Sequence, residues 1–202
     1  MKKLAFILGI LLSVNVAFAG DGKQLAIGDK AVHTDVKMKD VSGAEISLSD
    51  ASKENGLLVM FSCNTCPFVV AWEDRFNEVK EWADNNEVGM IVLNSNYQKR
   101  DGADSFDEMK KKAEAEGYNF NYVVDKDSKI ANAFGGQTTP HVFLFDGDMK
   151  LAYKGAIDDN YKDAEGVKQA YLKEALISLG KDKNIAIAET KPLGCGIKRK
   201  VD

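Results

Sequence analysis

Cys63-Asn64-Thr65-Cys66-Pro67 is the segment of this 202-residue chain whose residue types and spacing most directly imply chemistry. A thiol becomes a nucleophile as its thiolate, and unpaired N–H groups at a helix N-terminus, with the positive end of the helix dipole, favour that form. Two intervening residues let the second cysteine, one turn on, reach back and close a small disulfide. Cys63 is thus the expected attacking thiol, with a pKa below that of a free cysteine, and Cys66 the resolving one. Pro67 suits the first helical turn, where its missing N–H costs nothing. A static disulfide or half of a zinc site would use the same residue types. Zinc would need a second ligand pair, and the chain offers only Cys195, His33 and His141.

Thr138-Thr139-Pro140 is the second informative segment, placed just before an apolar strand-like run. Proline at the start of a strand is tolerated and often marks only a rigid turn. Beside a cysteine pair, a cis Thr139-Pro140 bond would leave a backbone N–H and C=O free for an extended peptide substrate. Cys195 has three open roles: a third redox thiol that accepts the disulfide, a link to another chain, or a packed free thiol. Asp158 and Asp159, in the stretch 154–160, pair two carboxylates where a turn is the ordinary expectation.

These residues need elements to hold them. Residues 56–62 (GLLVMFS) and 88–94 (VGMIVLN) are continuous apolar runs of strand length, as buried central strands read. Between them, Val69, Trp72, Phe76, Val79 and Trp82 or Ala83 recur at helical spacing, predicting one helix to about Asn85. Residues 36–38 and 45–48 flank Ser42-Gly43 as a small hairpin. A helix is expected over 105–116, capped by Ser105, with Phe106, Met109 and Ala113 inward. A strand at 120–124, a short helix at 128–134 and strands at 141–145 and 151–154 follow, the last two joined through Asp146-Gly147. A final helix over 167–179 ends at Gly180 as its cap. Strands alternating with helices before a closing hairpin predict an α/β three-layer sandwich around a mixed sheet.

Composition narrows the function classes. Hydrophobic residues make up 45% and charged residues 29%, so the chain can bury a core without disulfide staples. A net charge of −4 excludes the basic face that nucleic-acid binding needs. Lys2 and Lys3, the apolar stretch 4–16 and Ala17-Phe18-Ala19 read as a signal peptide, with cleavage before Gly20. The expected organisation is a signal peptide at 1–19, one domain at 20–180 and an irregular tail at 181–202, with no membrane span after cleavage. Export to the periplasm or beyond would place the cysteines where disulfides persist.

The order CNTCP at a strand–helix junction, TTPHVFLFD downstream, then YKGAIDDN, resembles the thioredoxin-like redoxins. More closely, the chain resembles a peroxiredoxin-like subgroup of the alkyl hydroperoxide reductase/thiol-specific antioxidant superfamily. The resemblance runs from Ile27-Gly28-Asp29 to the GCGIK around Cys195 and includes VLNSN (92–96) and SFDEMKKKAEAEGY (105–118). It implies a thioredoxin-like fold and a redox-active Cys63–Cys66 pair, with Thr139 and Pro140 at the substrate. Two departures are informative. The threonine and proline that peroxiredoxins place before the peroxidatic cysteine are Met60 and Gly56 here. The tryptophan that thioredoxin places before its first cysteine is Ser62, and residues 56–62 lack thioredoxin's buried acid, so proton transfer to Cys66 must use water or another group.

The expected activity is thiol–disulfide exchange by an exported oxidoreductase. Cys63 thiolate attacks a partner disulfide and Cys66 displaces the product. The partners are protein or small-molecule thiols and disulfides and a separate electron donor or acceptor, with no organic cofactor and no metal. Two alternatives are a thiol peroxidase and a copper-binding chaperone. In the latter, His141 would join the two cysteines, since Cu(I) accepts thiolate and imidazole.

Overall fold

The computed structural model describes residues 23–200. The signal-peptide reading of 1–19 lies outside the described residues. Among the described residues, no helix is long and apolar enough to cross a membrane.

The chain runs through β1 (Met38–Lys39), β2 (Glu45–Ile46), α1 (Leu48–Ala51), β3 (Gly56–Ser62), α2 (Pro67–Trp72), α3 (Phe76–Asp84) and β4 (Val88–Asn94). It continues through α4 (Phe106–Ala115), β5 (Asn121–Val124), α5 (Lys129–Phe134), β6 (Thr138–Thr139), β7 (His141–Phe145), β8 (Leu151–Gly155), α6 (Tyr171–Gly180) and β9 (Cys195–Gly196). Five strands form one mixed sheet in the order β5-β4-β3-β7-β8. β3, β4 and β5 are parallel, β7 runs antiparallel to β3, and β8 runs antiparallel to β7. The result is the expected α/β thioredoxin-like sandwich.

The alternation of side chains along β3 explains the layers. Leu58 and Met60 enter a core closed by Val69, Trp72 and Phe76 of the α2–α3 region and by Leu172 and Leu176 of α6. Leu57, Val59 and Phe61 enter a second core with Leu48 of α1, Ile130 and Phe134 of α5, and Phe143 and Phe145 of β7. β3 is covered on both faces, which is why its sequence shows no polar alternation. Gly56 opens the strand at φ +127°, and a Cβ there would lie 2.0 Å from the Phe145 carbonyl oxygen. Glycine is the residue that satisfies both constraints.

The segment after the cysteines departs from the expected single helix. A 3₁₀ turn at Glu73–Arg75 separates α2 from α3. The break coincides with two buried polar anchors. Glu73 accepts from Lys112 Nζ at 2.7 Å and from the Tyr118 hydroxyl. Arg75 donates to Asp158 Oδ2 at 2.6 Å and to the Asn160 carbonyl at 2.8 Å, while Trp72 Nε1 donates to Asp158 Oδ1 at 3.0 Å. Asp158, expected as a turn residue, does accept from Asn160 N at 2.8 Å, and it is also the buried counter-ion that ties the helices to the chain after β8. Its neighbour Asp159 does make a local contact, accepting from Lys168 N.

Smaller corrections follow the same logic. Leu48 belongs to α1, begun by a Ser47–Asp50 capping box, rather than to the hairpin. α6 starts at Tyr171 instead of residue 167 and includes Gly180, with Lys181 as the cap. The tail is not wholly irregular, because β9 pairs with β6.

Candidate active site

Register brings the chemistry to one edge of the sheet. Ser62, the last residue of β3, lies opposite Asn94, the last of β4, and Asn94 lies opposite Val124 of β5. β7 runs the other way, so its first residue, His141, pairs with Phe61 near the same edge. The loops at 63–66, 95–105 and 138–140 therefore converge where parallel strands end, the usual location of α/β sites.

The Thr139-Pro140 bond is cis, the condition on which the peptide-docking reading of this segment depended. Cys63 Sγ lies 3.3 Å from the Thr139 hydroxyl, and Cys66 Sγ lies 3.2 Å from the Thr139 carbonyl oxygen. Thr139 thus stands between both sulfurs, and all three side chains are buried. Cys66 is the N-cap residue of α2, followed by Pro67 in the first turn.

The disulfide joins Cys66 to Cys195, across a sequence separation of 129, and Cys63 is a free thiol. The Cys63–Cys66 pair is therefore open in this state, and Cys66 is bonded to the cysteine for which accepting the disulfide was one of three open roles. Cys195 reaches Cys66 because β9 lies antiparallel to β6, Cys195 opposite Thr139 and Gly196 opposite Thr138. The backbone groups expected to be free at Thr139 are therefore occupied by the chain's own tail. The expected low pKa of Cys63 is also reversed in this state. Burial pushes the thiol above its ordinary value and the nearby Asp104 charge adds to the rise, while the Thr139 hydroxyl and the Cys66 and Thr65 backbone oppose it.

A polar network beneath the cysteine loop went unread in the sequence. Asp104 Oδ1 accepts from Asn64 N at 2.7 Å and from Asn94 Nδ2 at 2.8 Å, and Oδ2 accepts from Asn96 Nδ2 at 3.0 Å. The Tyr122 hydroxyl donates to Asn64 Oδ1 at 2.8 Å, and Arg100 donates to the carbonyls of Asp104 and Asn94. Burial raises the Tyr122 pKa well above its ordinary value, so it remains a neutral donor. The loop before α4 thus carries a buried acid, which braces the cysteine loop through Asn64. The available signals were Asn64 inside the cysteine motif and the asparagines at 94 and 96, whose amides need buried partners once β4 is read as a core strand.

His141 is not brought to the cysteines. Its ring lies against Phe143 at 4.6 Å between centroids, among the second core, and Nδ1 accepts from Gln137 N at 3.1 Å. Cys63 and Cys66 belong to the first core, on the opposite face. Burial pushes His141 down to about 3, so it is a neutral packing residue, and the copper ligand set of the alternative reading is not assembled. Among the described residues, no group of three or more His, Cys, Asp or Glu could hold a metal ion.

The AhpC/TSA family profile matches residues 27–154. An uncharacterised conserved protein from Geobacillus kaustophilus is similar at 28% identity and TM-score 0.79, over 88% of this chain and 94% of that one. A hypothetical protein from Sinorhizobium meliloti 1021 is similar at 25% identity and TM-score 0.78, over 89% of this chain and 98% of that one. Peroxidoxin BcpB from Mycobacterium tuberculosis shares the fold, at 16% identity and TM-score 0.57, over 76% of this chain and 95% of that one. No curated protein matches the sequence.

Proposed function

The chain belongs to the AhpC/TSA family, and from that premise we propose that it is an exported thiol–disulfide oxidoreductase working through Cys63, Cys66 and Cys195. The observation that carries this reading is a free Cys63 thiol beside a Cys66–Cys195 disulfide, with Thr139 touching Cys63 and Cys66. In the cycle, Cys63 thiolate attacks a partner disulfide, forming a mixed disulfide and releasing one partner thiol. Cys66 thiolate then attacks Cys63 Sγ, which releases the second partner thiol and leaves Cys63–Cys66. Cys195 thiolate attacks Cys66, forming Cys66–Cys195 and returning Cys63 to the thiol state. Two electrons have passed to the partner, and a separate thiol donor must reopen Cys66–Cys195.

Thr139 positions the sulfurs. Its hydroxyl stabilises the Cys63 thiolate, partly offsetting the burial that disfavours it. Asp104 fixes the loop through Asn64, the residue after the nucleophile. Export rests on residues 1–19 of the sequence, and it places this chemistry where disulfides persist.

The test is to trap partners on a Cys66→Ser variant, which stops the cycle at the first mixed disulfide, and to map the bond by mass spectrometry. Mixed disulfides at Cys63 that disappear in the Cys63→Ser, Cys66→Ser double variant are the expected result. Exclusive trapping through Cys195 would reassign the nucleophile.

A further inference from the structure

The tail does more than deliver Cys195. After the β6–β9 pairing, Ile197 N donates to the Gln137 carbonyl at 3.1 Å and Lys198 N to Asn96 Oδ1 at 2.8 Å. Gln98 N donates to the Lys198 carbonyl at 3.0 Å and Gln98 Nε2 to the Arg199 carbonyl at 2.7 Å, while the Arg199 guanidinium reaches the Gly136 carbonyl. This is the geometry of an extended peptide added to a strand edge, where main-chain bonds hold any sequence and side-chain positions select among sequences.

Three positions carry the selection. A Cβ at residue 194 would lie 2.3 Å from the Thr139 carbonyl oxygen and 2.7 Å from its carbon, so the place before the cysteine admits only glycine. A Cβ at residue 196 would meet nothing within 4 Å, so the place after it is open. Ile197 packs against the second core, so the next place is apolar. The Thr139 carbonyl that excludes a side chain at 194 is also the one that touches Cys66, so it cannot move aside without disturbing the sulfur.

We propose that this edge is the docking site of the electron donor, a dithiol protein presenting an extended Gly-Cys-any-apolar segment, and that residues 194–199 are the chain's own occupant of that site. The inference rests on the thiol–disulfide reading and names its donor. Cys63 thiolate attacks Cys66 Sγ; the Cys63–Cys66 bond forms, the Cys66–Cys195 bond breaks, and Cys195 leaves as a thiolate that takes up the proton Cys63 lost. The tail vacates the edge and the donor segment takes its place. The donor's cysteine thiolate attacks Cys66, forming a donor–Cys66 disulfide in the position Cys195 held and freeing Cys63. The donor's second thiolate then attacks its own bonded cysteine, leaving the donor as a disulfide and this protein fully reduced.

The test uses the full chain carrying Cys63→Ser, Gly194→Ala and Cys195→Ser, so that its own tail no longer fits the edge, with Cys66 charged as its thionitrobenzoate disulfide. Release of thionitrobenzoate reports attack at Cys66. The probes are dithiothreitol, a peptide of sequence PLGCGIKRK (residues 192–200) and the same peptide with alanine before its cysteine. The expected result is release by the glycine peptide at least tenfold faster than by the alanine peptide at equal concentration. Equal rates for the two peptides, with dithiothreitol still active, overturn the docking site and leave the exchange reading intact. No release by any thiol, with the fold retained by circular dichroism, overturns both. A second variant is independent of the label. Gly194→Ala in the otherwise unaltered chain should make Cys66–Cys195 at least tenfold easier to open in a dithiothreitol titration, and an unchanged titration overturns the glycine requirement.

Discussion

Removing the third cysteine separates two disulfide arrangements by magnitude. Closing a loop across 129 positions restricts the unfolded chain far more than closing one across three, and the chain-entropy relation gives roughly 5 kcal/mol for Cys66–Cys195 against roughly 2 kcal/mol for a Cys63–Cys66 bond. Cys195→Ser should therefore cost about 5 kcal/mol relative to the oxidised protein, or about 3 kcal/mol if Cys63 and Cys66 then pair. Cys63→Ser should keep nearly all of the oxidised stability, because its thiol is free. The assay is urea unfolding of the three proteins, with and without reductant, read by fluorescence and circular dichroism so that two-state behaviour is checked. With reductant the stability gap between the oxidised chain and Cys195→Ser should close. If Cys63→Ser instead loses the reductant-sensitive stability while Cys195→Ser retains it, the resident bond is Cys63–Cys66 and not Cys66–Cys195.

Asp158→Ala should destabilise the fold by about 3 kcal/mol in urea, because buried Arg75 would keep only its 3.6 Å ion pair with exposed Asp74. A cost below 1 kcal/mol would mean that water reaches the guanidinium. His141 is neutral in the folded protein, with a pKa of about 3, whereas the unfolded chain protonates near 6.5. Its stabilising contribution is complete above about pH 6.5 and lost as the pH falls toward 3, roughly 3 kcal/mol by pH 4.5. A His141→Phe variant should lack that part of the acid slope, and an unchanged slope would assign it to carboxylates. Asp104→Asn removes a charge that raises the Cys63 pKa, so the pH midpoint of Cys63 alkylation should move down. A midpoint that rises or stays put would show that Asp104 acts only through the loop's hydrogen bonds.

The fold was legible because its signals are local and strong. β3 and β4 are uninterrupted apolar runs with the bounds their composition implies, and Ser105 caps α4, accepting from Glu108 N at 3.3 Å. The proline beside a cysteine pair raised a cis bond as one reading and a rigid turn as the other, and the bond is cis. What escaped reading depends on partners distant in sequence. Periodicity at 69–83 continues through Trp72 and Phe76, so it is blind to a 3₁₀ turn coinciding with side-chain bonds from Glu73 to Lys112 and from Arg75 to Asp158. The disulfide is the extreme case. A two-residue spacing makes Cys63–Cys66 the local solution, and only the approach of β9 to β6 reveals that Cys66 has a competitor 129 positions away.

The location of the acid follows from the same architecture. Every residue of β3 is buried, with apolar cores on both faces, so a carboxylate there would lose hydration with few groups to replace it. At the strand ends the chain can turn amides toward a charge, and Asp104 collects Asn64 N and the side-chain amides of Asn94 and Asn96. The cysteine loop is then held from below by a charge and from the side by Thr139. Docking of the tail adds covalent closure over Cys66 while the neighbouring Cys63 remains a buried thiol with a raised pKa. A buried, protonated sulfur is a poor nucleophile, so the Cys66–Cys195 form resists the first step of its own opening. Opening therefore begins with loss of the Cys63 proton against that burial, and the tail is released only when the Cys66–Cys195 bond breaks.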